Sequence, residues 1–204
     1  MLDLKPTFNA LRRSKAGALM LLIQIAITTA IVSNAAFIIY DRVQFLDQET
    51  GYIEENIFRV GLLTFGSDID LSQQFEADKE MIRNLPGVES VSMVNFMPLS
   101  GSGSATRYGE NPSGQDGMRV RAARFVSDEY AIDTLGLSIS EGRNFSADER
   151  IIGDVEPNTP SVAIVSRSFI EQIFPDENGL GKTIYDGNAP FKVVGIVETM
   201  KGPW

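Results

Sequence analysis

The longest uncharged segment of the chain constrains its fold more than any other feature. Residues 16–40 read AGALMLLIQIAITTAIVSNAAFIIY and contain no Asp, Glu, Lys or Arg. As an α-helix this segment would be about 37 Å long at roughly 1.5 Å per residue, whereas the hydrocarbon core of a bilayer is about 30 Å thick. The segment therefore predicts a helix that spans a membrane.

Two other interpretations of residues 16–40 are weaker. A buried helix of a soluble domain seldom continues this far without a charged side chain. A cleaved signal peptide would share the basic flank and the small residues at 33–36, but the apolar run is longer than usual and resumes at 37–39. The pattern favours an anchor that is not cleaved.

The charges that flank this segment predict its orientation. Arg12, Arg13 and Lys15 precede it, whereas residues 41–55 contain five carboxylates and one Arg. Because the cytoplasmic flanks of membrane spans are enriched in Lys and Arg, we expect the N-terminus in the cytoplasm. Residues 41–204 would then lie on the other side of the membrane.

The N-terminal residues 1–15 carry a pattern of their own. Leu4, Phe8 and Leu11 recur at near-helical spacing, with Lys and Arg between and after them. Such a pattern is typical of a helix that lies in the membrane interface. We expect a cytoplasmic interfacial helix here, and a disordered tail is the alternative.

Composition excludes several classes of function. The 204 residues include no Cys and no His, and the formal net charge is −9. Without Cys and His there is no disulfide, no Ser-His-Asp triad and no zinc or iron site of the usual kind. The acidity argues against nucleic-acid binding, which needs clustered Lys and Arg. Gly181-Lys182-Thr183 lacks the earlier Gly of a P-loop because position 176 is Asp. We expect no catalytic residue, metal or cofactor.

Residues 57–96 predict a β-α-β unit. Residues 57–65 and 88–96 alternate between apolar and polar side chains, as strands do. Between them, Asp70 can cap a helix with Leu71, Phe75, Ile82 and Leu85 on one face, and Pro86-Gly87 ends it. The next residues, 98–117, are rich in Gly, Ser and Pro and predict a flexible surface loop.

The remaining segments predict short elements. Residues 118–125 read as a strand whose Arg119, Arg121 and Arg124 form a solvated face, with an anion site as the alternative. The others are a helix capped by Ser127 and ended by Gly136, a strand at 137–139 that leads into a tight turn at 141–143, a strand at 162–165, a helix capped by Ser166, and a hairpin of 183–185 with 191–197.

The order of several short motifs resembles the N-terminal half of MacB-like and FtsX-like ABC transporter permeases. The resemblance covers essentially the whole chain. No single motif is diagnostic, but their ordered series over residues 98–197 is specific. They are PLSG at 98–101, Tyr130 with LGL at 135–137, EGRNF at 141–145, VAIVS at 162–166, FP at 174–175, LGK at 180–182 and VVGIV at 193–197.

The resemblance implies an α+β fold, with one N-terminal transmembrane helix followed by an extracytoplasmic, two-lobed α/β domain of the MacB periplasmic core type. The expected parts are a cytoplasmic interfacial helix at 1–15, a transmembrane helix at 16–40, a connector at 41–56 and the periplasmic core domain at 57–204, with lobes at about 57–125 and 126–192 and a closing strand at 192–198.

The resemblance also implies a function. Such permease subunits pair as homodimers or with a second permease, bind a cytoplasmic ABC ATPase, and couple its ATP hydrolysis to movement of the periplasmic domain. A periplasmic adaptor or an outer-membrane channel is a further expected partner, together with membrane lipid and without nucleic acid. Three more spans would be expected beyond Trp204, so the sequence is interpreted as a fragment.

The expected location is the inner membrane, with the N-terminus in the cytoplasm and residues 41–204 in the periplasm. Arg12, Arg13 and Lys15 are the only site residues predicted, and their role is membrane orientation. The subunit itself is expected to be non-catalytic. The alternative function is a membrane-anchored sensor or ligand-binding module with a single span.

Overall fold

The computed structural model describes residues 14–61, 70–151 and 161–203. The chain forms two compact units, Met1–Glu49 and Thr50–Trp204. The interfacial helix predicted at 1–15 lies outside the described residues, apart from Ser14 and Lys15.

The first unit contains one long helix, α1, over Lys15–Leu46. Ser14 caps it, since its Oγ accepts a hydrogen bond of 3.3 Å from the Gly17 N–H. At the other end, the Asp47 N–H donates to the Val43 carbonyl. An 18-residue stretch of this 32-residue helix has a mean hydropathy of 2.0, and the helix has no buried residue, so it is long and apolar enough to cross a membrane.

The second unit is an α+β domain built on one six-stranded sheet. In the described part of this unit, three α-helices and one 3₁₀ turn at Ala147–Glu149 accompany the sheet. The strands are β1 Ser104–Gly109, β2 Arg119–Arg124, β3 Ile139–Gly142, β4 Ser161–Ser166, β5 Thr183–Asp186 and β6 Ala189–Val197, and the helices are α2 Leu71–Arg83, α3 Ala131–Leu135 and α4 Arg167–Ile173.

The last strand, β6, is the centre of this sheet. One of its edges pairs antiparallel with β5 near its start and with β3 near its end, while the other edge pairs parallel with β4. The strand β1 joins β5 to β2, so the sheet order runs β2-β1-β5-β6. All pairs except β4 with β6 are antiparallel.

The main core lies between the sheet and α4. The helix buries Phe169, Ile170 and Ile173, and the sheet contributes Ile184, Val193 and Ile196, among others. The Tyr108 ring meets the Phe169 ring edge to face at a centroid distance of 5.8 Å. A second apolar cluster joins α3 to the end of β6 through Ile132, Leu135, Leu137 and Val197.

The loop predicted at 98–117 is wrong in part, because it contains the strand β1. All six residues of β1 pair in register with β2, from Ser104 opposite Arg124 to Gly109 opposite Arg119. Tyr108 is buried in the main core. The strand therefore depends on partners that are distant along the chain.

The two strands of the predicted β-α-β unit are also wrong where the structure describes them. Residues 57–61 and 88–96 form no strand, apart from an isolated bridge between Val94 and Ser127. The Met93 N–H donates to the Asp128 carboxylate and the Val126 N–H donates to the Asn95 side chain, so side chains replace a backbone ladder.

The helix of that unit, α2, is confirmed. The Gln73 N–H donates to Asp70 Oδ1 at 3.2 Å, as expected for the cap. However, Leu85 lies beyond the helix and is exposed, and Lys79 is buried instead.

Three local predictions in the second half need correction. The expected turn at 141–143 is wrong, because Glu141 and Gly142 belong to β3 and pair with Ile196 and Gly195 of β6. Ser127 does not cap α3. Instead, Asp128 Oδ1 accepts a hydrogen bond from the Tyr130 N–H just before the helix. Ser166 is the N-cap residue of α4, as predicted, but its side chain makes no cap hydrogen bond.

The hairpin of 183–185 with 191–197 is confirmed by the pairing of β5 with β6. The strands β1 and β2 belong to the range predicted for the first lobe, and β3–β6 lie in or close to the range predicted for the second. All six strands form a single sheet. The division into two lobes stays a prediction.

Candidate functional site

The segment that follows α1 is held inside the second unit by residues near the end of the chain. We call residues 50–53 with 199–201 the neck. The Lys201 N–H donates to the Thr50 carbonyl at 3.0 Å. The Ile53 N–H donates to the Leu135 carbonyl at the end of α3, also at 3.0 Å. The neck thus joins the chain just after α1 to α3 and to the residues after β6.

A half-buried phenol strengthens the neck. The Tyr52 hydroxyl donates to the Lys201 carbonyl at 2.5 Å, and the ring packs against the cluster of α3 and β6. Burial raises the pKa of the Tyr52 hydroxyl, so it remains a neutral donor at physiological pH. Two hydrogen bonds, one from each segment, therefore connect residues 50–52 with Lys201.

Two glycines permit the close approach of the neck segments. Gly51 has φ +85°, and a side chain there would overlap the Thr199 carbonyl. Gly136 ends α3 with φ +66°, and a side chain there would overlap Ile53. Both positions require glycine, for backbone conformation and for space.

A buried ion pair attaches α2 to the residues before α3. Lys79 and Asp128 are only 4% and 6% exposed, and Lys79 Nζ lies 2.7 Å from Asp128 Oδ2. Burial alone would raise the pKa of the Asp128 carboxyl, but hydrogen bonds from Lys79, Ser92 and the Met93 N–H outweigh it and lower this pKa. The Lys79 ammonium also lies 5.3 Å from the centre of the Tyr130 ring.

A groove of about 730 Å³ lies beside the sheet of the second unit. Residues of β2, β4 and α4 line it, together with the ion pair of Arg124 and Asp186, whose nitrogen and oxygen are 3.2 Å apart. The three strand arginines differ in exposure, because Arg124 is partly buried in its pair with Asp186 while Arg119 and Arg121 are exposed.

Of the predicted orientation residues, Lys15 is the first residue of α1 and is exposed. Arg12 and Arg13 lie outside the described residues. In the ranges that the structure describes, no three acidic side chains are grouped so that they could hold a metal ion. The sequence did not identify Tyr52, Lys79 or Asp128, and the Gly51-Tyr52 pair after the apolar segment was the only local signal for the neck.

Residues 18–203 match the family described as MacB-like periplasmic core domain. No curated protein matches the chain.

Two solved structures are similar to part of the chain. The periplasmic region of MacB from Actinobacillus actinomycetemcomitans is 22% identical with a TM-score of 0.42, and the match covers 60% of this chain and 50% of that one. The extracellular domain of the noncanonic ABC-type transporter YknZ from Gram-positive bacteria is 16% identical with a TM-score of 0.43, covering 60% and 56%. The chain spans about half the length of these structures.

The family match extends over most of α1 and the whole α+β domain, which is well over half of the sequence. This chain therefore belongs to the family of MacB-like periplasmic core domains, which are parts of ABC transporter permeases.

Proposed function

We propose that this chain is the N-terminal part of a permease subunit of the MacB and FtsX type. In this proposal, α1 spans the inner membrane with the N-terminus in the cytoplasm, and residues 41–204 are periplasmic. A partner ATPase hydrolyses ATP, and the permease, paired with a second copy or a second permease, moves its periplasmic domain for export or mechanotransmission. A periplasmic adaptor or an outer-membrane channel would receive that movement.

The neck is the observation that carries this proposal. The helix α1 continues for six residues beyond the uncharged segment, to Leu46, and Thr50 follows it after only three residues. From Thr50 onward the chain is bound to Lys201 and Leu135 by backbone hydrogen bonds. A displacement applied at residue 50 would therefore be passed directly to α3 and to the end of β6.

The short connection between α1 and Thr50 leads to a testable prediction. Inserting Gly-Gly after Phe45 in the complete permease should disconnect ATP hydrolysis from movement of the domain, because two glycines in a helix interrupt its continuity. With the partner ATPase present in proteoliposomes, we expect basal hydrolysis to remain while stimulation by the permease and transport are lost.

The matched control is a Gly-Gly insertion after Gly114, which has φ +85° and open space around it. This second insertion should leave both hydrolysis and transport unchanged. Transport at the normal rate by the variant with Gly-Gly after Phe45 would contradict the proposed coupling.

A single-span sensor or ligand-binding module is the second candidate, and the groove beside the sheet is the observation that favours it. The two functions predict different genes. A permease requires further spans and an ATPase partner, whereas the sensor requires α1 alone. Counting the hydrophobic segments encoded by the complete gene separates them.

A further inference from the structure

The guanidinium of Arg167, the first residue of α4, binds two segments that are distant in the sequence. Its Nη2 donates to Ser140 Oγ and to Glu141 Oε1 of β3, each at 2.9 Å. Its Nε donates to Glu198 Oε2 at 3.1 Å. Because Glu198 directly precedes the neck segment 199–201, the guanidinium links the neck both to β3 and to the start of α4.

The two acceptors on β3 are themselves held by further hydrogen bonds. The Ser140 hydroxyl donates to the Ile196 carbonyl of β6 at 3.0 Å, and the Asn178 side-chain amide donates to Glu141 Oε2 at 2.7 Å. Hydrogen bonds from Asn178 and Arg167 favour the ionised carboxylate and lower the pKa of Glu141. The β3 side of this contact is therefore fixed in place and charged at physiological pH.

The neck side of the contact has no such support. Glu198 lies beyond Val197, the last paired residue of β6, and is exposed. Among the described residues, its carboxylate bonds to Arg167 alone. The neck contacts that follow it, from Thr199 and Lys201, are all made with residues 50–52. The side chain of Arg167 is therefore the link between this end of the neck and α4.

A second arginine of the domain shows what is special about this contact. Arg143 also makes two hydrogen bonds to carboxylate oxygens, but both go to Glu149, only six residues away. The acceptors of Arg167 are 26 to 31 residues away and lie on two different segments. An exposed ion pair adds little stability by itself, whereas the rigid fork of a guanidinium fixes the geometry of the groups that it joins.

We propose that Arg167 is a positioning residue for the neck: it holds residues 198–201 against β3 and α4, so that a displacement of the neck also moves α4. This helix buries Phe169, Ile170 and Ile173 in the main core, and its other face lines the groove beside the sheet. Movement would therefore reach both the core and the groove. The positioning role can be tested in this chain alone, whereas its consequence for coupling rests on the proposed function.

Hydrogen exchange of the full chain in phosphatidylcholine nanodiscs tests the positioning role. The reporter is the Lys201 amide, which donates across the neck, and the Val193 amide, bonded within the core, is the reference for general unfolding. Arg167→Gln should accelerate exchange at Lys201 by about fivefold, the upper range for an exposed ion pair, and leave Val193 unchanged. Glu198→Gln should act similarly, and the double variant no more than either change alone, because both break the same contact.

Arg143→Gln is the matched control, since it removes two carboxylate contacts away from the neck, and exchange at Lys201 should not change. Unchanged exchange in Arg167→Gln, equal acceleration by Arg143→Gln, or equal acceleration at Val193 would each overturn the proposal.

The consequence for coupling is measured in the complete permease with its partner ATPase in proteoliposomes. Arg167→Gln should lose the stimulation of ATP hydrolysis that Arg143→Gln retains, and equal stimulation by the two variants would overturn this consequence. A native permease that gives no stimulation would instead contradict the proposed function, and the exchange rates would still decide the role of Arg167.

Discussion

Gly51 is the residue at which the neck is most sensitive to a single added carbon. Its φ of +85° is strained for any L-residue, and a Cβ would also overlap the Thr199 carbonyl. Gly87 has nearly the same φ, +86°, but no atom within 4 Å of an added Cβ. The two glycines therefore separate backbone strain from steric overlap.

We expect Gly87→Ala to lower the free energy of unfolding by about 1–2 kcal/mol, the cost of a left-handed alanine. Gly51→Ala should cost about 2–4 kcal/mol, because overlap with backbone adds to the strain. Thermal unfolding of both variants in the same neutral detergent measures the difference. Equal losses would mean that the neck segments are not in close contact.

The buried ion pair of Lys79 and Asp128 is a second contact between single residues that holds secondary-structure elements together. Replacing Lys79 with Met leaves the Asp128 carboxylate buried without its main partner, so we expect a loss of about 3–5 kcal/mol. The double variant Lys79→Met with Asp128→Asn should recover much of that loss. Urea unfolding of the four proteins forms a double-mutant cycle, and strictly additive losses would show that the two side chains do not interact.

This pair also makes stability depend on pH. Because the pKa of Asp128 is lowered by folding, its contribution is fully present above the unfolded value of about 3.9 and is lost as pH falls through the lower folded value. The difference in stability between the native chain and Asp128→Asn should therefore shrink below about pH 4. A difference that grows on acidification would contradict the lowered pKa.

Among the secondary-structure elements, helices and the final hairpin could be predicted locally, whereas β1 could not. The cap of α2 and the apolar spacing of α2 and α4 lie within each segment. In contrast, Tyr108 is the only large apolar side chain of β1, and the strand is completed by pairing with β2 across the loop at 110–118 and with β5, which is far away in sequence. Residues 88–96 have strong alternation but lose their ladder to the side chains of Asn95 and Asp128.

A proline scan tests whether residues 104–109 form a strand or the loop that composition suggests. Thr106 lies within the ladder with β2, so Thr106→Pro should lower the free energy of unfolding by about 3 kcal/mol. Ser102 lies before β1, and its N–H has no partner in the described part of the chain. Ser102→Pro should therefore cost less than about 1 kcal/mol. Equal tolerance of both prolines would favour the loop.

At the scale of the whole molecule, the apolar helix and the α+β fold class could be predicted from the sequence. The neck could be recognised only in the structure. The run of uncharged residues is contiguous, so its length alone indicates a span. The neck depends on contacts between residues 149 positions apart, such as Tyr52 with Lys201. No local pattern encodes such a contact.

The central claim is that α1 anchors the chain in a membrane and that the α+β domain lies on the periplasmic side. Because the chain has no Cys, single cysteines can report the side on which each residue lies. We would introduce Asn9→Cys ahead of α1 and Gln115→Cys at an exposed position of the domain. Both would be treated with a membrane-impermeant maleimide on intact spheroplasts.

We expect Gln115→Cys to be labelled on intact spheroplasts and to stay with the membrane after a salt wash, while Asn9→Cys should be labelled only after lysis. Protection of Gln115→Cys until lysis, or its release into the soluble fraction, would show that the domain is not anchored on the periplasmic side.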